Sequence, residues 1–81
     1  MQPMREVVLY TRPGCHLCDR AKAVIESVRL CVDFAFREID IASDPELFED
    51  HRYDIPVIEI DGRRAFRYRV DPDALLERLR A

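Results

Sequence analysis

"TRPGCHLCDR", residues 11–20, sets two cysteines three positions apart directly after a Pro-Gly break. Upstream, "REVVLY" (residues 5–10) reads as a short buried strand, because Val7, Val8 and Leu9 make a β-prone apolar run. Downstream the period changes. Leu17, Ala21, Val24 and Val28 recur at steps of four, three and four, which is one face of an amphipathic helix, and Arg20, Lys22 and Glu26 fall largely off it. Cys15 therefore stands at the helix start, where backbone N–H groups lack intrahelical partners and the aligned peptide dipoles favour negative charge. A thiolate there gains both effects, so its pKa is expected below the usual value of about 8.5. Arg12 adds a favourable charge just upstream, and His16 adds a charge or a hydrogen bond; Asp19 opposes them.

Cys18 lies one helical turn on, and residues three apart are neighbours on a helix surface. That spacing fits the roughly 4.4–6.8 Å Cα separation a disulfide tolerates. Three readings follow: dithiol–disulfide exchange, one half of a metal site, or a structural pair. A structural zinc site wants four ligands, usually in two separated pairs. This chain has no second CxxC and no HxxxH; His16, Cys31 and His51 would have to converge from distant positions. No metal is expected. A CxxC within a strand-helix-strand pattern favours redox exchange. In it Cys15 attacks a substrate disulfide and Cys18 resolves the resulting mixed disulfide.

The remaining elements read in order. "FAFREIDI" (residues 34–41) holds a second strand with imperfect alternation. "SDPELFEDH" (residues 43–51) starts a short polar helix, with Ser43 and Glu46 as a capping box and Leu47 and Phe48 as anchors. "VIEIDGRRAFRYRV" (residues 57–70) is a hairpin turning at Asp61-Gly62. In it Ile58 and Ile60 oppose Val57 and Glu59, and Phe66, Tyr68 and Val70 alternate with Arg67 and Arg69. "DPDALLERL" opens a last helix capped by Asp71, with Pro72 in its first turn and a stripe of Leu75, Leu76 and Leu79. The βαβαββα order predicts an α/β fold: a parallel pair with a right-handed crossover, an added antiparallel hairpin, and a four-stranded mixed sheet flanked by helices.

Composition narrows the class further. With 81 residues, 48% of them hydrophobic and 36% charged, residues 1–81 are expected to form a single soluble domain. The net charge of −3 gives no bulk attraction to nucleic acid. No apolar run reaches the roughly 20 residues that cross a bilayer, so no membrane partner is expected. "MQPMREVVLY" lacks the pattern of an export signal, and a cytoplasmic location is the expectation. Three cysteines do not make a stapled scaffold. Cys31, outside the helix-start environment, is expected to be a small buried hydrophobe.

"YTRPGCHLCDRAKAVI" together with "YDIPVI" resembles the glutaredoxin-like branch of the thioredoxin superfamily. More narrowly, it is similar to a small group that shares a Pro-Gly-Cys-His-Leu-Cys segment. The resemblance spans nearly the whole chain and implies a thioredoxin-like fold with a redox-active centre. It implies that the Ile55–Pro56 bond is cis and faces the cysteines, and that nearby backbone pairs with an extended thiol substrate. Arg12 matches the family's basic residue three before the nucleophile, and Asp73 matches an acidic position near the last helix. The chain departs from typical glutaredoxins at His16-Leu17, where they carry Pro-Tyr, and at Arg69 and Val70, where they carry Gly-Gly. Arginine and valine remove the close backbone approach that glycine allows.

The function expected is thus a thiol-disulfide oxidoreductase in electron transport, reducing protein or small-molecule disulfides. Its electron source would be glutathione or a dithiol reductant, with thioredoxin reductase a candidate partner; no bound cofactor is expected, and the chain is read as a monomer. The other class carried forward is a glutaredoxin-like binding or adaptor module with little turnover. Fold alone does not separate the two.

Overall fold

The computed structural model describes residues 4–81. Residues 1–3, part of the stretch searched for an export signal, lie outside the described residues. The elements are β1 (Glu6–Thr11), α1 (His16–Arg29), β2 (Ala35–Asp40), a 3-10 turn (Ile41–Ser43), α2 (Pro45–His51), β3 (Val57–Ile60), β4 (Arg63–Arg67) and α3 (Pro72–Arg80). They form one four-stranded sheet in the order β2-β1-β3-β4. β1 and β2 run parallel from Glu6↔Ala35 to Thr11↔Asp40. β3 lies antiparallel to both β1 and β4. The expected mixed sheet and element order are therefore what the chain adopts.

The core is lopsided. On one face, Val7 and Leu9 of β1 and Ile58 and Ile60 of β3 meet Ala21, Ile25 and Val28 of α1 and Leu75 and Leu79 of α3, closed by Phe34 and Val70. On the other face Val8, Val57 and Ile41 are also buried, but α2 contributes no fully buried residue there. Val57 lies on the side opposite Ile58 and Ile60 and is also fully covered, because β3 is an inner strand with packing on both faces.

Local chemistry sets the element ends. Gly14, at φ +82°, breaks the chain between β1 and α1 in a conformation that side chains with a Cβ rarely adopt. Asp61 and Gly62 both take positive φ (52° and 83°), as a tight two-residue hairpin turn demands. Asp71 caps α3, its carboxylate accepting the Ala74 N–H at 2.9 Å.

Four readings are corrected. α2 is capped by Asp44, whose carboxylate accepts the Glu46 N–H at 2.9 Å, while the Ser43 hydroxyl donates backwards to Asp40 O. The 3-10 turn consumes Ser43, so the next acidic residue takes over the cap. β4 ends at Arg67, and Tyr68 enters the left-handed region (φ 66°) instead of continuing the alternation. The buried stripe of α1 runs through Cys18, Ala21, Ile25 and Val28, with Leu17 and Val24 at its edge. Cys31 is exposed. α1 stops at Arg29, the next turn bonds Cys31 N–H to Val28 O, and Leu30 and Cys31 swing outward while Val32 and Phe34 return to the core.

Candidate redox-active site

Cys15 is the N-cap of α1, in extended backbone (φ −90°, ψ 108°) after the Gly14 turn. Its carbonyl accepts the Asp19 N–H, and its own N–H reaches Arg12 O, so the turn fixes the residue from both sides. The sulfur occupies the place of a capping oxygen: Cys15 Sγ accepts the Cys18 N–H at 3.1 Å. Cys18 lies one turn deeper on the buried stripe, only 1% exposed, whereas Cys15 is partly exposed. The two are joined as a disulfide with Cα atoms 5.2 Å apart. Of the pair, Cys15 is the residue open to solvent and Cys18 the one covered by the fold.

The Ile55–Pro56 bond is cis. Because Tyr10 pairs with Val57, Pro56 falls one step further along, beside Thr11 and the turn that leads to Cys15. Pro56 is buried, and its carbonyl accepts the Tyr68 N–H at 2.8 Å. Among the described residues, the Ile55 N–H and C=O have no partner. The loop is held from behind. The Tyr68 hydroxyl donates to Tyr53 O (3.0 Å) and Asp54 Oδ1 (3.3 Å), and Asp54 also meets Arg64 and Arg67 at 3.7 Å each. Sequence reasoning missed this anchor; only the positive φ of a tyrosine, invisible before the fold is known, marks it.

The other expected residues are distributed differently. Arg12 is exposed, with its guanidinium over the Phe48 ring of α2 at 5.8 Å, and it lines a polar cavity with Thr11, Asp19, Glu38 and Asp40. His16 is exposed at the first position of α1 and makes no side-chain hydrogen bond among the described residues. Asp73 is exposed in the first turn of α3 and lines a shallow hollow with Leu76, Glu77 and Arg80. On the α2 side, Tyr10 stacks on His51 at 4.5 Å and donates to Glu59 at 3.1 Å. Burial, then the hydrogen bond and charge of Glu59, push the Tyr10 phenol pKa above its ordinary value. No group of three or more metal-ligating side chains gathers among the described residues.

The family model described as "Glutaredoxin-like domain (DUF836)" matches residues 6–80. The chain belongs to this family. It is 38% identical over 72 residues to the "Glutaredoxin-like protein YDR286C homolog" of Dictyostelium discoideum, a match covering 82% of this chain and 67% of that protein. The solution structure of protein Ne2328 from Nitrosomonas europaea superposes with a TM-score of 0.82 at 25% identity, over 98% of this chain and 95% of that one. A mutant thioredoxin from Halobacterium salinarum superposes at 0.70 with 20% identity, over 93% and 71% of the two chains. That likeness fixes the thioredoxin fold. Family membership, this fold and the close cysteine pair together support a redox-type role with disulfides as the general substrate class. No helix among the described residues is long and apolar enough to cross a membrane.

Proposed function

We propose that the protein is a thiol-disulfide oxidoreductase that reduces disulfides through Cys15, with Cys18 as the resolving thiol. The observation that carries this reading is the partly exposed Cys15 at the N-cap of α1, bonded through its sulfur to Cys18, a residue buried one turn below. In the reduced pair, the Cys15 thiolate faces the free amides of the first turn, a setting that lowers a thiol's pKa. It attacks one sulfur of a substrate disulfide. The substrate S–S bond breaks, a Cys15–substrate disulfide forms, and the departing thiolate takes up a proton. Cys18 then loses its proton and attacks the Cys15 sulfur, releasing the second substrate thiol and leaving the Cys15–Cys18 disulfide described above. Two electrons have passed from the dithiol to the substrate.

The unpartnered Ile55 backbone groups would pair with an extended substrate segment laid across Cys15, with Pro56 fixing the loop. Arg12 and His16 sit beside the nucleophile in sequence and would act on the approaching substrate's charge rather than on the sulfur by direct bonding. A thiol donor such as glutathione, or a dithiol reductant served by thioredoxin reductase, would restore the reduced pair. Asp73 would take part only in binding such a small thiol. A cytoplasmic, monomeric protein fits this cycle.

Trapping tests it. Cys18→Ser, incubated reduced with a disulfide-bonded protein, should accumulate a mixed disulfide through Cys15, and Cys15→Ser should accumulate none. Equal trapping by both variants, or none by either, would remove the assigned roles.

A further inference from the structure

A groove opens along α1 from Leu17, the residue that follows His16 between the two cysteines, and shares no lining residue with the Arg12 cavity. Leu17, Arg20, Ala21 and Val24 form one wall, the i, i+3, i+4, i+7 face of α1, and Tyr68, Arg69 and Val70 form the other. Its α1 wall begins between the two cysteines and runs two helical turns, about 10 Å at 1.5 Å per residue. Its other wall is tied to the Pro56 carbonyl by the Tyr68 N–H. A substrate segment crossing Cys15 and Ile55 would therefore continue into it.

Two properties define what fits. The floor is apolar, with Leu17, Ala21, Val24 and Val70, but the volume is about 170 Å³, below the roughly 300–1,000 Å³ of pockets that enclose a whole small ligand. It suits one apolar side chain of a longer chain. The rim carries Arg20 and Arg69, both exposed. Six ion pairs occur among the described residues, using Arg5, Lys22, Arg37, Arg52, Arg64 and Arg67. Neither rim arginine is in that set. In a chain of net charge −3, two uncommitted cations flanking an apolar slot make a local field opposite to the protein's own.

We propose that this groove selects protein substrates in which an apolar residue flanked by Asp or Glu lies next to the reactive disulfide. The proposal rests on the reductase reading above and adds its specificity. The apolar residue fills the slot and its acidic neighbours meet Arg20 and Arg69; rim charges of this kind act mainly on the association rate and its salt dependence.

The test uses the pre-reduced protein in single turnover against cysteine peptides carried as mixed disulfides with thionitrobenzoate, whose release is coloured. Two peptides differ only in having glutamates or lysines around a leucine. The second-order rate constant should be about tenfold higher for the glutamate peptide at low salt, and the gap should close as salt screens the rim. In an Arg20→Gln/Arg69→Gln double variant the preference should vanish, while reduction of neutral dithiodipyridine stays unchanged. Equal rates for the two peptides, with dithiodipyridine still reduced, would overturn the groove assignment and leave the reductase reading standing. A defect of the double variant confined to the glutathione–thionitrobenzoate disulfide would also overturn it, giving the slot to a small thiol. Failure to reduce any of these disulfides would overturn both.

Discussion

Cys15 and Cys18 were legible from the sequence alone, because both depend on local rules: a glycine break after an apolar run, then a helical period. The phenol of Tyr10 was not. Its partners, Glu59 on β3 and His51 on α2, are brought to it by sheet register and by the way α2 lies over the sheet. Tyr10 nonetheless carries a titration that the fold visibly displaces. Its pKa is raised above 10.0, first by burial and then by the adjacent Glu59 carboxylate. The folded state thus holds the phenol proton more tightly than the unfolded chain does. The associated stability is fully present below about pH 10 and is lost as pH rises through the folded-state pKa. Phenolate absorbance should accordingly show an ionisation centred above pH 10 that Tyr10→Phe removes. Tyr10→Phe should also soften the alkaline fall in stability. An alkaline unfolding profile identical in the variant would place the sensitivity elsewhere.

Where strands and helices begin and end was read less well than which ones exist, and each miss has a competing local group behind it. Asp40 and the 3-10 turn take Ser43 out of the capping position, leaving Asp44 to serve α2. β4 looked longer than it is because Phe66, Tyr68 and Val70 alternate by sequence, whereas the chain takes a positive φ at Tyr68 and the Arg69 N–H bonds back to Arg67 O, which ends the strand just after the Tyr68 N–H has met Pro56 O. A tyrosine in the left-handed region costs on the order of 1–3 kcal/mol and persists only where its surroundings hold it. Here the holders are its own amide bond and the hydroxyl proton shared between Tyr53 O and Asp54. Tyr68→Phe keeps the ring and the backbone but drops the hydroxyl, so it should lower stability by about 1 kcal/mol. It should also loosen the 53–56 loop and slow reduction of protein disulfides more than reduction of a small aromatic one. Equal slowing of both would mean the hydroxyl supports the fold without positioning the loop.

The molecule as a whole leans on one side of its sheet. α1 and α3 bring Ala21, Ile25, Val28, Leu75 and Leu79 onto β1 and β3, while α2 offers only half-buried Leu47 and Phe48 to the opposite face. This distribution was half legible. The leucines of α3 and the apolar spacing of α1 pointed to one buried face, but the polar make-up of α2 concealed how much of the second face Val8, Ile41 and Val57 cover by themselves. Chains of this size bury a smaller share of their surface than larger domains do and carry a total stability on the order of 5–15 kcal/mol. A single cavity in the main face therefore weighs heavily. Ile25→Ala should cost about 2–5 kcal/mol, the usual range for such a deletion in a packed core. Leu47→Ala, at a half-exposed position, should cost about 1 kcal/mol or less, nearer the typical point-mutation value. Urea unfolding followed by backbone circular dichroism measures both, and the midpoint should fall with an unchanged slope in each case. Because Ile25 lies seven residues beyond Cys18 on the same stripe, Ile25→Ala should leave trapping by the Cys18→Ser background intact wherever the protein remains folded. A larger loss from Leu47→Ala than from Ile25→Ala would shift the weight of the fold to the α2 face.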